Sequence, residues 1–196
     1  AEKYGYGYKT ANLLELQETL KKNITIDTIT VKIPEFIGIT HADIISLFRS
    51  HSIDLGKEWN ILRTKHFASK INQQKILSTK TLPTQLVNDL KKLQAKIYTL
   101  TKRTTTRFPI SLKNFIATST HNHWKLMVRS TGKEDTDSIS NAGGNYTQAN
   151  ILPNEKNVTR AICSVVASYF SKKSLSQRLQ AGDPTFFKQP LTPVLI

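Results

Sequence analysis

The strongest hydrophobic pattern is a stripe of Leu86, Leu90, Leu93, Ile97 and Leu100 at helical spacing, with Lys91, Lys92 and Lys96 lying off it. That spacing predicts an amphipathic helix over 84–100 whose solvent side is cationic. A broader apolar face, built from Val158, Ala161, Ile162, Val165, Val166, Tyr169 and Phe170, predicts a helix after Pro153 that ends where Ser171-Lys172-Lys173-Ser174 interrupts the pattern. Near the start, Leu13, Leu16 and Leu20 predict a helix capped by Thr10 and closing at Lys21-Lys22, where cations suit the helix dipole. Thr40 followed by Asp43 has the spacing of a capping box, so Ile44, Ile45, Leu47 and Phe48 are expected on a helix running to about Ser50. A further short helix is expected over 59–68.

Period-two alternation marks the strands. Ile24 and Ile26, then Ile29, Val31 and Ile33, alternate with Thr, Asp and Lys and predict one bulged strand or two short ones. Over 123–130, Trp124, Leu126 and Val128 fall on one face while Lys125, Met127 and Arg129 fall on the other, which predicts a half-buried strand. Residues 101–109 have neither periodicity nor an acid, and Pro109 holds Phe108 extended, so a basic loop or arm is expected there. Residues 131–153 read as a long polar loop, and 181–196, with Pro184, Pro190 and Pro193, as an extended tail ending in the apolar Val194-Leu195-Ile196. Together these elements predict an α+β fold, helix-dominated, with a few short strands and extended N- and C-terminal segments. A length of 196 residues fits one domain over 1–180 with the tail appended.

Composition changes the picture through charge. Hydrophobic residues make up 38% of the chain, which limits it to a modest core, while 28 basic against 14 acidic residues give a formal net charge of +14. The imbalance is local: residues 1–50 carry six basic and six acidic side chains, whereas 57–129 carry fifteen basic ones and only two acids, Glu58 and Asp89. Closely spaced cations with few competing carboxylates are what a phosphate backbone requires. The expected contact set is Lys91, Lys92, Lys96, Lys102, Arg103 and Arg107, extended by Lys125 and Arg129. Lys172 and Lys173 join it if 171–180 forms the second half of a helix-turn-helix. An ordinary solvated lysine face is the alternative, but such faces interleave glutamate, and this one does not.

Aromatic side chains run through the same region. Tyr98 is the freest candidate to stack on an unpaired base, because Phe108, Phe115 and Trp124 sit in apolar patterns and are expected in the core. His121 and His123 have a spacing that permits a shared metal ion, and a metal-dependent nuclease is the alternative function they suggest. Such a site needs further acidic or thiol ligands, which the surrounding sequence scarcely supplies. An interaction module for an acidic protein partner is a third reading. No phosphate-binding loop, nucleophile elbow, zinc-binding or cofactor motif stands in a suitable context, so neither an enzyme nor a cofactor is expected. Cys163 lies in an apolar helical pattern and is expected as a buried thiol, which favours an intracellular setting, cytoplasmic or within a nucleoprotein particle. No apolar run approaches the roughly 18 residues of a membrane span, so no membrane partner is expected.

The tripeptide Arg107-Phe108-Pro109, followed by a stretch ending in a C-terminal amphipathic helix, resembles a segment of the coat proteins of rod-shaped plant viruses. The resemblance implies assembly with nucleic acid and assigns no individual residue a role; the +14 charge departs from what such coats lead one to expect. The function expected from sequence is therefore a non-enzymatic, nucleic-acid-binding structural protein, RNA favoured, acting as a homo-oligomer or as a subunit of a larger assembly.

Overall fold

The computed structural model describes residues 5–23, 33–103, 106–131, 135–136, 139–140 and 146–196. Within them the order is α1 (Tyr8–Asn23), β1 (Gly38–Ile39), α2 (His41–Arg49), α3 (Leu55–Phe67), α4 (Lys70–Thr79), α5 (Thr84–Tyr98), a 3-10 turn (Thr99–Lys102), α6 (Ile110–His121), β2 (Leu126–Ser130), β3 (Asp135–Thr136), β4 (Ile139–Ser140), β5 (Thr147–Ile151), α7 (Glu155–Tyr169), α8 (Lys172–Gln180) and β6 (Val194–Leu195). The fold is helix-dominated α+β. The strand expected from Ile24 onwards lies, as far as residue 32, outside the described residues.

The capping chemistry at α2 is as the sequence predicts: the Thr40 side chain accepts from the Asp43 N–H while the Asp43 carboxylate accepts from the Thr40 N–H. A cap of this kind stabilises its helix by about 0.5–2 kcal/mol. The side chains of Asp54, Ser69, Asn154 and Ser171 cap α3, α4, α7 and α8 by accepting from a first-turn N–H, without the reciprocal bond. Thr10 is not a cap. It lies inside α1, buried, with its N–H donating to the Thr131 hydroxyl at 3.1 Å.

Helix α7 is the centre of the molecule. Val158, Ala161, Ile162, Val165, Val166 and Tyr169 are all buried, with α5 and the 3-10 turn packed on one side and strands β2, β5 and β6 on the other. Cys163 belongs to this core, where burial pushes its thiol up to about 12. The resulting layers are α5, then α7, then a sheet of order β1-β6-β2-β5 whose pairings are all antiparallel. β5 falls within the stretch read as a long polar loop. Its sequence, Thr-Gln-Ala-Asn-Ile, carries one strongly apolar residue, so alternation could not reveal it, and pairing with β2 is what makes it a strand.

The C-terminal residues fold back into the domain. β6 is not an edge: it sits between β1 and β2, and the Ile196 N–H and carbonyl continue the ladder to Ile37. Phe186 and Phe187 pack edge-on to each other with ring centres 5.0 Å apart, and Phe187 meets Phe67 of α3 at 5.1 Å. Two polar pins hold the same segment. The Tyr169 hydroxyl donates to the Pro193 carbonyl at 2.7 Å and accepts from the Thr131 N–H at 3.1 Å. The Thr192 N–H donates to His41 Nδ1 at 3.1 Å, which requires that nitrogen to be unprotonated, and burial lowers the His41 pKa accordingly.

Gly7 shows why the start of α1 is fixed. Its φ is +76°, and a Cβ there would overlap the Thr131 carbonyl. Left-handed backbone alone costs a non-glycine residue about 1–2 kcal/mol, and the overlap adds to it. Gly7→Ala is therefore expected to lower the thermal midpoint by several degrees, whereas Gly182→Ala, where a Cβ has open space, lowers it less; comparison of the two melting curves checks this.

Candidate nucleic-acid interface

The two acids of the basic stretch are both occupied inside the fold. Asp89, buried on α5, accepts from Lys65 Nζ at 2.7 Å, from Lys92 Nζ at 3.1 Å and lies 3.0 Å from His66 Nε2. Hydrogen bonds from Lys65, His66 and Lys92 hold its carboxyl well below the usual carboxylate range, against the opposing effect of burial. Glu58 on α3 pairs with Lys96 of α5. Three of the fifteen cations in 57–129 are thus engaged, and the other twelve have no carboxylate within ion-pair distance among the described residues.

The expected contact residues divide between two faces. Lys91, Lys92 and Lys96 are exposed on the outer side of α5, with Tyr98 beside them 41% exposed. Lys102 and Arg103 follow in the 3-10 turn and its cap, also exposed. The Arg107 N–H donates to His51 Nε2 at 3.3 Å, so the arm is tied back to the end of α2. His51 is depressed below the ordinary histidine value first by burial and then by the positive charges of Arg107 and Arg103. Its neutral form therefore contributes stability that is complete above about pH 6.5 and is lost as pH falls through its lowered pKa. Removing one of those charges in Arg107→Gln is expected to move the His51 titration upwards, read from its ring-proton shifts by NMR. An unmoved titration would show that the arm does not lie against His51 in solution.

Lys125 and Arg129 belong to the opposite side. Along β2, Leu126, Val128 and Ser130 are buried while Met127 is exposed and Arg129 half-buried, so these two point away from the α7 layer. They open on a cleft of about 770 Å³. Leu13 of α1, the segment 33–36, Phe115 of α6, Trp124 and the C-terminal Leu195 and Ile196 complete its walls. Trp124, expected in the core, stands instead at the cleft, 36% exposed, because the strand begins two residues later and His123 adopts a left-handed turn at φ 54°. Phe108 is buried as expected, and Phe115 is partly buried against the core. The Arg129 Nε is enclosed without a hydrogen-bond partner among the described residues.

Lys172 and Lys173 occupy the first turn of α8, not the end of α7, since Ser171 accepts from the Ser174 N–H and opens a new helix. Cations there oppose the helix dipole by roughly 0.3–1 kcal/mol. Ser174, Leu175 and Leu179 are buried and Arg178 is committed to Asp183 at 2.7 Å and to the Thr185 carbonyl at 2.9 Å, while Lys172 and Lys173 are exposed. His121 and His123 are exposed at the end of α6. No group of three or more His, Cys, Asp or Glu side chains placed to hold a metal ion occurs among the described residues. No helix among them is long and apolar enough to cross a membrane.

Comparison of the chain with protein-family models, with curated proteins and with solved structures gives no match in any of the three.

Proposed function

We propose that the chain is a non-enzymatic nucleic-acid-binding protein that holds RNA or another single-stranded nucleic acid through its phosphates, as a homo-oligomer or as a subunit of a larger nucleoprotein assembly. The observation that carries this reading is the state of the two acids in 57–129. Glu58 and Asp89 are taken up by lysines of the same chain, and twelve cations are left without carboxylate partners among the described residues. Each phosphate neutralised by such a cation releases condensed counterions, which is the main source of affinity in sequence-independent binding. The lysines of the first turn of α8 and the aromatic cleft at Lys125 and Arg129 support the same reading, since both place cations where an anion stabilises them.

On this account the work of the protein is positional. Phosphate contacts fix a strand along a surface without reading its sequence, and no bond in the nucleic acid is made or broken. An intracellular location, cytoplasmic or within the particle itself, belongs to the same proposal. The test is to isolate the chain in its native form and measure particle mass together with the absorbance ratio at 260 and 280 nm. A mass of many subunits with a nucleic-acid-like ratio is expected; a nucleic-acid-free monomer that also binds no RNA at low salt would overturn it.

A further inference from the structure

We propose that the cleft at the outer face of β2 seats an unpaired base of the bound strand, stacked on Trp124, with Lys125 and Arg129 taking the flanking phosphates. The inference rests on the nucleic-acid reading and narrows it to single strands at this site. Phe36, Phe115, Trp124 and Met127 give the cleft apolar and aromatic walls, and its volume of about 770 Å³ admits a base with its sugar. A base is held without sequence preference when an aromatic side chain offers it a face and cations beside it take the backbone. Both are present within one concavity, whereas α5 offers cations on a convex helix surface with Tyr98 beside them.

Three further observations favour this occupant. Trp124 is 36% exposed and Met127 is 48% exposed, and both line the cleft, so two large side chains are left uncovered at one place. Arg129 lines the cleft, and its Nε has no hydrogen-bond partner among the described residues, so the guanidinium is not committed there to a protein acceptor and its outer nitrogens suit a phosphate. Glu35 is the one carboxylate on the lining among the described residues. It opposes a phosphate but accepts from a base edge that carries N–H donors, which places the phosphates on the side of Lys125 and Arg129.

The test compares the full chain bound to three fluorescently labelled probes of equal length: a single-stranded RNA, the same backbone without bases, and a duplex RNA. The native chain should bind the single-stranded RNA more tightly than the abasic strand by roughly 5- to 150-fold, the range that loss of one stacked base produces. Trp124→Ala should remove that difference while leaving abasic binding unchanged, and Trp124→Phe should restore most of it. Arg129→Gln should weaken single-stranded and abasic probes together, which tests the site by a second residue. Base discrimination intact in Trp124→Ala would overturn the base seat and leave the phosphate-binding reading standing. A native chain that binds none of the three overturns both. A loss of oligomer mass in Trp124→Ala with unchanged probe binding would identify the cleft as a contact between copies of the chain and overturn the base seat.

Discussion

Removing residues 191–196 is expected to abolish cooperative folding. The segment supplies β6, which lies inside the sheet between β1 and β2, so its loss leaves both neighbours without their shared partner. Val194, Leu195 and Ile196 are all buried. Burying such side chains contributes about 1.5–3 kcal/mol each, an upper estimate, so the three together approach the whole stability of an ordinary domain, about 5–15 kcal/mol. The polar pins fail with them: the Tyr169 hydroxyl loses its acceptor, the Pro193 carbonyl, and His41 Nδ1 loses the Thr192 N–H. Near-UV circular dichroism and a thermal melt of the shortened chain should show no native signal and no sharp transition. A melt displaced by only a few degrees would mean that β6 is peripheral. Thr192→Ala, which removes only the hydroxyl at His41, should cost about 1 kcal/mol and serves as the mild control.

The second large effect concerns binding. Replacing Lys91, Lys102, Arg103 and Arg107 with Gln removes four exposed cations that have no carboxylate partner among the described residues. For a single strand, each phosphate contact contributes about 0.7 to the slope of log affinity against log salt, so the slope should become less steep by roughly 3. With the affinity at 1 M salt unchanged, the same shift weakens binding about a thousandfold at 0.1 M. Lys92 and Lys96 are left out because Asp89 and Glu58 already engage them. Replacing them should cost stability, through the broken pairs, and change the salt slope less than an equal number of free cations does. Equal slopes for the two sets would contradict the division between engaged and free lysines.

The legible part of this chain is the part written in strong local periodicity. Leu86, Leu90, Leu93 and Ile97 mark α5, Val158 to Tyr169 mark α7, Thr40 and Asp43 mark the cap of α2, and Leu126 and Val128 mark β2; each forms as its pattern dictates. What escaped has weak or non-local determinants. α4 buries only Ile76, so Lys70 to Thr79 shows no apolar face to detect. α6 begins directly after Pro109 with Pro109 itself at the N-cap, a boundary easily mistaken for the end of ordered structure. β5 and β6 exist through pairing with β2, not through their own composition.

The candidate interface follows the same rule. The excess of cations in 57–129 is a property of the sequence and is visible there. Its partition is not: that Asp89 engages Lys65 across 24 positions, or that Lys96 reaches Glu58 across 38, follows only from how α3 meets α5. The cleft is less legible still. Its lining runs from Leu13 to Ile196, and Trp124 reads as core until the strand is seen to begin at Leu126. Alternation between Met127 and Arg129 on one face and Leu126 and Val128 on the other is the local signal that Lys125 and Arg129 share an open surface.

The central claim is that the chain holds nucleic acid through its phosphates. It is tested most directly by titrating the full chain against a mixed-sequence single-stranded RNA at several salt concentrations. The account predicts tight binding at low salt and a steep, linear fall of log affinity with log salt, with a slope reporting several phosphate contacts. Absence of binding at low salt, or an affinity indifferent to salt, would contradict it.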